Sequence, residues 1–117
     1  MKIAKYALIA VLTSGSWLRV SADPTIQTDS YGWMSTSGYY AIEYFVDAYD
    51  SNGTLNSLKA QAYDEEDNYW VDPAYGTGDG SHLSASGWGE SVDGDTDGLI
   101  WCVDNGVEYD YNVVFYF

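Results

Sequence analysis

The sequence predicts an all-β protein, folded as an antiparallel β-sandwich of six to seven short strands, with a small β-barrel as the alternative. Apolar residues do not recur at helical spacing anywhere in the 117 residues. Runs rich in Tyr, Trp, Val and Ile alternate instead with turn signals about every ten residues. Glycine is also frequent, with 12 residues, as expected for a chain of many tight turns.

The N-terminus has the pattern of a secretory signal peptide. Two lysines precede the apolar run Tyr6–Leu12 (YALIAVL), which is too short to span a bilayer. Val20 and Ala22 then supply small residues at positions −3 and −1 of a cleavage site. The sequence therefore predicts a signal peptide over residues 1–22 and one secreted β-sandwich domain over residues 23–117.

The charge of this domain narrows the classes of partner. Removal of 22 of the 117 residues would leave 95, in which Lys59 stands against 18 acidic residues for a net charge of about −17. Such a surface repels nucleic acid and anionic lipid headgroups. It suits cations, neutral ligands or basic proteins.

Alternating polar and apolar residues predict which side of two strands faces the core. Within Tyr39–Tyr49 the polar side holds Glu43 and Asp47. The inward residues of that strand are expected to be Tyr40, Ile42, Tyr44, Val46 and Ala48. Within Leu55–Tyr63 they are expected to be Leu58, Ala60 and Ala62.

The last two strands form a hairpin around Asp104-Asn105-Gly106. A three-residue loop would pair Trp101 with Tyr109 and place every large apolar residue of the hairpin on one face. This register predicts that Trp101 is in the core. The single cysteine, Cys102, is expected to be a buried small hydrophobe, with pairing to another chain as the alternative.

The stretch DGDTDG has the residue spacing of a calcium loop. Asp93, Asp95 and Asp97 place carboxylates at alternate positions, and a glycine follows at position 98. Residues 99–103 are expected to be extended, so that Asn112 and Asp110 of the following strand are the nearest candidates for closing ligands. The stretch either binds a structural calcium through these five residues or is an acidic turn without a metal.

No pattern of catalytic residues stands out. His82 is the only histidine, and its neighbour Ser81 does not complete a triad without a positioned third group. Paired carboxylates could serve a glycosidase, but 18 acidic residues produce such pairs by chance. The sequence therefore predicts that the protein is not an enzyme.

Aromatic residues predicted to lie in or beside loops are the most informative for function. Trp88 lies between glycines in Ser86-Gly87-Trp88-Gly89, and Tyr69 and Trp70 follow an acidic loop. Exposed rings stack on sugars or enter a membrane interface, although these rings could also cover a thin core from outside. We expect a secreted, non-enzymatic protein that binds a glycan or membrane-lipid surface through them. A secreted acidic structural or interaction protein that binds a basic protein is the alternative.

Several stretches carry a resemblance to a known family: Leu83–Gly87 (LSASG), the eleven-residue spacing from there to Gly98, and Leu99–Asp104 (LIWCVD). With Tyr40-Ala41 and Leu58-Lys59-Ala60 upstream, the chain resembles the aegerolysins over residues 40–117. The resemblance implies a small acidic β-sandwich that binds specific membrane lipids. It also implies that DGDTDG is a strand connection and not a metal loop.

Overall fold

The computed structural model of the protein describes residues 4–10, by their backbone alone, together with residues 23–34 and 38–117. The described residues form ten strands: β1 Ala4–Ala10, β2 Thr25–Met34, β3 Tyr40–Tyr49, β4 Leu55–Asp64, β5 Tyr69–Trp70, β6 Ala74–Tyr75, β7 Thr77–Gly78, β8 His82–Ser91, β9 Asp95–Asp104 and β10 Val107–Tyr116. In this part of the chain, no helix has the length and apolar character needed to cross a bilayer.

The strands build two open antiparallel sheets that face each other. The first sheet has the order β1-β2-β3-β8-β7, and the second has the order β10-β9-β4-β5, with β6 also pairing to β4. The predicted β-sandwich is therefore confirmed, and the barrel alternative is wrong because neither sheet closes on itself. The described residues hold more strands than the six to seven predicted, because β5, β6 and β7 are extra two-residue strands, while the other strands of residues 23–117 are ten residues long.

The predicted alternation in β3 and β4 is confirmed, except that Tyr40 at the start of β3 is only half-buried. Ile42, Tyr44, Val46 and Ala48 of β3 are buried, and so are Leu58, Ala60 and Ala62 of β4. The second sheet adds Ile100, Cys102, Tyr111 and Phe115, among others, to the same core. Side chains of successive strand residues point to opposite faces, so each of these strands contributes every second residue to the core.

A stacked pair of aromatic rings crosses the middle of the core. The rings of Tyr44 and Phe115, one from each sheet, are 4.2 Å apart and tilted by only 10°. A Cβ added at Gly87 would lie 2.5 Å from the Tyr44 hydroxyl, and a Cβ at Gly98 would overlap the Phe115 ring. Both positions therefore require glycine, because any side chain there would overlap one of the two rings. Burial raises the pKa of Tyr44 to about 12, so its phenol stays neutral near neutral pH.

The hairpin between β9 and β10 has a two-residue loop, and the predicted three-residue register is wrong. Asp104 pairs with Val107, and Cys102 pairs with Tyr109. Asn105 and Gly106 both have positive φ, at 50° and 77°, as a tight primed turn requires.

This register turns Trp101 outward, although the sequence predicts it in the core. Its ring lies under the ammonium group of Lys59, which is 4.3 Å from the ring centroid. The burial of Cys102 is confirmed, since its side chain is fully enclosed.

Strand β1 lies at the edge of the first sheet, antiparallel to β2, from Ala4 opposite Tyr31 to Ala10 opposite Thr25. It is the only described part of the predicted signal peptide. The predicted cleavage after Ala22 lies outside the described residues, and it stays a prediction together with secretion.

We expect Gly87→Ala to lower the free energy of unfolding by about 1–3 kcal/mol, because the added methyl group overpacks the core against Tyr44. Chemical denaturation monitored by tryptophan fluorescence measures this change. Ser86→Ala is the matched control, since Ser86 is exposed on the same strand. Equal stability of the two variants would contradict the proposed packing.

The Cys102 thiol should not react with a disulfide reagent in the native protein at about pH 8, because burial raises its pKa to about 12. A colorimetric thiol assay should detect the thiol only after denaturation. Rapid native labelling, or a disulfide-linked dimer on a non-reducing gel, would instead favour pairing between chains.

Candidate functional site

An open groove at one side of the sandwich brings together two of the three aromatic residues that the sequence predicts as ligand-binding. Tyr69 and Trp88 line a space of about 350 Å³. The other lining residues are Val71, Asp72, Pro73, Ala74, Ser86 and Gly87. The groove therefore combines two large rings with a carboxylate and a hydroxyl group.

Trp88 is exposed because successive side chains of strand β8 point to opposite faces of the sheet. Gly87 and Gly89 face the core, where a larger side chain would meet Tyr44 or Ala62, so Trp88 between them points outward. Its side chain is 45% exposed. The expected exposure of Trp88 is thus observed, but the residue lies inside a strand, and the sequence-based placement in a loop is wrong.

The short strand β5 presents Tyr69 and Trp70 on opposite sides. Tyr69 is 44% exposed and faces the groove with Trp88. Trp70 is 39% exposed, but its ring meets Tyr63 edge-on at 5.1 Å and lines a separate groove of about 290 Å³ with Asp97 and Asn112. The structure therefore brings Tyr69 and Trp88 together and separates Trp70 from them.

The phenol of Tyr69 stays protonated at neutral pH. Partial burial, together with the nearby carboxylates of Asp64, Asp67, Asp72 and Glu90, raises its pKa. Its hydroxyl group can therefore donate a hydrogen bond to a bound molecule.

A cluster of three carboxylates beside this groove is not predicted from the sequence. Asp64, Glu66 and Glu90 each bring one carboxylate oxygen within 4.8 Å of the others. Asp64 ends β4, Glu66 lies in the turn that follows, and Glu90 lies near the end of β8. The stretch DEEDN marks the first two residues, but only the tertiary approach of β8 supplies the third.

Glu90 holds a proton unusually tightly. A hydrogen bond with the carboxyl group of Glu66 is the main cause, and desolvation and the charges of Glu66, Asp64 and Asp67 add to it, so the pKa of Glu90 rises to about 7. Near pH 7, the Glu90 carboxyl group is therefore protonated in part of the molecules.

The predicted metal ligands do not converge. Asp93 accepts hydrogen bonds from the Ser91 hydroxyl and the Asp95 backbone N–H, which lowers its pKa and fixes the turn between β8 and β9. Asp95 and Asp97 already belong to β9. The only group of three acidic side chains found close enough for one metal among the described residues is the cluster of Asp64 with the two glutamates.

The hairpin register shifts both expected closing ligands by one residue along β9, but Asn112 still lines one groove with Asp97. Asn112 lies opposite Leu99, whereas the predicted three-residue loop would place it opposite Gly98. Asp110 lies opposite Trp101, four residues along β9 from Asp97 and therefore about 13 Å away at about 3.3 Å per residue. Calcium binding by DGDTDG stays a prediction, but Asp97 and Asp110 cannot share one ion in this arrangement.

His82 does contact two potential partners, but not as a catalytic relay. Its Nε2 atom lies 2.8 Å from Asp47 Oδ1 and 3.1 Å from Ser84 Oγ, and Ser84 donates a short hydrogen bond to the same carboxylate oxygen. A relay uses the two ring nitrogens separately, one for the acid and one for the nucleophile. Here one nitrogen meets both groups, so the cluster lacks that geometry. The absence of enzymatic activity stays a prediction.

A second group of aromatic rings covers the outer face of the first sheet. Tyr31 lies 5.8 Å from Phe45 and 6.1 Å from Trp33, and it donates a hydrogen bond to Glu43. Trp33 is 42% exposed. This group is not predicted from the sequence, although the spacing of two residues between Tyr31 and Trp33 is the spacing of one strand face.

Comparison with known proteins does not name a family for this chain. No model of a protein family matches it. No curated protein matches it either.

We expect the melting temperature in the absence of divalent cations to fall as the pH rises from about 5 to about 7, and to change less above that. The folded pKa of Glu90, about 7, exceeds the ordinary value of 4.5, so the folded state binds more protons in this range. The contribution of Glu90 to the stability of the fold is therefore greatest below the pKa that this residue has in the unfolded chain. It is lost as the pH rises through the pKa that Glu90 has in the folded protein.

Glu90→Gln should flatten this dependence, because the amide does not titrate. Thermal melts in chelator across the pH range measure it, with the exposed Glu108→Gln as the control variant. An unchanged slope in Glu90→Gln would contradict the assignment.

Proposed function

We propose that this protein is a non-enzymatic binding protein that takes a neutral glycan chain into the groove between Tyr69 and Trp88. The observation that carries the proposal is the pairing of two exposed rings in one groove with polar groups between them. Aromatic faces stack on the apolar faces of sugar rings, and nearby polar groups fix their orientation.

The groups around the two rings suit sugar hydroxyls. The Tyr69 hydroxyl and the Ser86 hydroxyl can donate hydrogen bonds, and the Asp72 carboxylate can accept them. An open groove leaves room for a chain to extend beyond the two rings. These features favour an oligosaccharide over a small molecule that must be enclosed.

Charge supports a neutral ligand. Between residues 23 and 117, Lys59 is the only lysine or arginine against 18 acidic residues, and its ammonium group already contacts Trp101. Polyanions such as nucleic acid or acidic phospholipid would meet strong repulsion. The signal-peptide pattern of residues 1–22 supports a role outside the cell, where glycans are abundant.

A membrane-lipid surface is the variant of this proposal that the resemblance to the aegerolysins implies. The same two rings could enter the interface of a membrane with neutral headgroups. The two ligand classes are separated by testing free oligosaccharides and vesicles of phosphatidylcholine and sphingomyelin side by side.

We expect Trp88→Ala and Tyr69→Ala each to weaken binding of the best oligosaccharide from a glycan array by about tenfold, because each removes one stacking ring. Isothermal titration calorimetry measures the change. Trp33→Ala is the matched control, since Trp33 is similarly exposed but does not line the groove.

Unchanged binding in both groove variants would place the site elsewhere. Binding to the vesicles alone, lost in Trp88→Ala, would assign the groove to lipid.

The acidic surface favours a second candidate, a structural or interaction protein that binds a basic protein. Carboxylates without nearby basic side chains attract a cationic partner over distances set by the Debye length, about 8 Å at physiological salt. Such binding should fall steeply as salt rises, whereas stacking on a neutral sugar should change little. Pull-down with a lysine-rich protein at low and high salt distinguishes the two candidates.

A further inference from the structure

We propose that Asp64, Glu66 and Glu90 form a calcium site that joins the end of β4 to the end of β8. The site differs from the predicted DGDTDG loop in every ligand. It also does not depend on the glycan-binding proposal, because none of the three carboxylates lines the groove.

The spacing of the three carboxylates matches one shared calcium ion. One oxygen from each residue lies within 4.8 Å of the other two. Calcium binds oxygen at 2.3–2.6 Å, so two ligands of the same ion lie at most about 5 Å apart. Small rotations of the two partly exposed glutamates are enough to bring all three oxygens onto one centre.

An unpartnered buried oxygen supplies the second and independent observation. Asp64 is 0% exposed, and its Oδ1 atom accepts hydrogen bonds from the backbone N–H groups of Glu66, at 2.9 Å, and Asp67, at 3.2 Å. Its Oδ2 atom is also buried but has no hydrogen-bond partner. Buried carboxylate oxygens without a partner are rare because desolvation is costly, and a metal ion satisfies such an atom.

Among the side chains that the structure describes, none supplies the missing positive charge. The one lysine between residues 23 and 117, Lys59, lies over the ring of Trp101, and His82 binds Asp47. Three carboxylates at this spacing repel one another, since like charges in a shared site disfavour ionisation. A cation from solution would remove this repulsion.

The backbone around the cluster is already fixed. The N–H group of Glu65 donates to the carbonyl oxygen of Glu90 at 2.8 Å, and the N–H group of Val92 donates to the Glu65 carboxylate at 3.1 Å. These bonds hold the turn after β4 against the end of β8. The ligand-bearing segments therefore need no large rearrangement to receive an ion.

The donor set favours calcium over other common metals. All three ligands are hard carboxylate oxygens, and water can complete a coordination shell of six to eight. Zinc prefers histidine and cysteine, neither of which belongs to this cluster. Magnesium demands a strict octahedron at about 2.0–2.1 Å and is a poorer match for oxygens spread over 4.8 Å.

Calorimetric titration of the full, metal-free chain with calcium chloride at about pH 8 tests the proposal. Melting temperatures in chelator, in calcium and in magnesium provide a second readout. We expect one calcium ion per chain and a calcium-specific rise of several degrees in the melting temperature, because the ion stabilises the native state by mass action.

Two pairs of variants identify the ligands. Glu66→Gln and Glu90→Gln keep the side-chain shape, and each should weaken calcium binding at least tenfold. Asp95→Asn and Asp97→Asn are the matched controls and should bind calcium as the unmodified chain does.

Three results would overturn the proposal. The first is no calcium binding to the unmodified chain. The second is loss of binding in Asp95→Asn or Asp97→Asn with Glu66→Gln and Glu90→Gln unaffected, which would assign the ion to the DGDTDG stretch. The third is equal stabilisation by magnesium, which would show general screening of the acidic surface.

Discussion

The stacking of Tyr44 on Phe115 is the contact on which the rest of the structure depends, because it joins the two sheets at the centre of a core that has no disulfide to support it. The rings need space that only glycine provides on the neighbouring strands. Gly87 supplies this space on the inner side of β8 and thereby fixes the alternation that turns Trp88 outward. The same short stretch of β8 therefore packs against Tyr44 on its inner side and presents Trp88 to the groove on its outer side.

The acidic side chains are organised mainly through hydrogen bonds, since basic partners are scarce. At one end of the sandwich, the Thr54 hydroxyl oxygen lies within hydrogen-bond distance of the buried carboxylates of Asp50 and Asp104, at 3.1 Å and 2.6 Å. Burial acts to raise the pKa of Asp50, but hydrogen bonds from Asp104, Asn52 and Thr54 outweigh it and hold the pKa below its ordinary value. At the other end, Asp64 has only backbone partners for one oxygen and none for the second, and this contrast is what distinguishes the proposed calcium site.

Much of the fold follows from local pattern, and the errors arise where local pattern is ambiguous. The period of two in β3 and β4 identifies their buried faces correctly, because each strand has one clearly apolar side. In the last hairpin, both faces carry large apolar residues, so hydrophobicity cannot fix the register. The turn geometry of Asn105 and Gly106 decides it, and Trp101 finds a favourable outer position under Lys59.

The candidate sites were less predictable, because they combine residues that are distant in sequence. The exposure of Trp88 follows from its flanking glycines, but its pairing with Tyr69 depends on how β5 folds back along β4. Glu90 reaches the acidic turn only because β8 and the end of β4 meet across the two sheets. Neither arrangement can be predicted from one sequence, because both depend on contacts between strands that are distant along the chain.

The position of β1 gives the predicted cleavage after Ala22 a consequence for self-association. A chain cut after Ala22 lacks β1, and the backbone groups of β2 that pair with it would then line the open edge of the first sheet. Such an edge is a template for pairing with another chain, and Asp29 in its middle is the kind of charged residue that discourages this. The uncut and cut forms should therefore differ in their tendency to self-associate, so the residue at which an expressed chain begins matters for any concentrated sample.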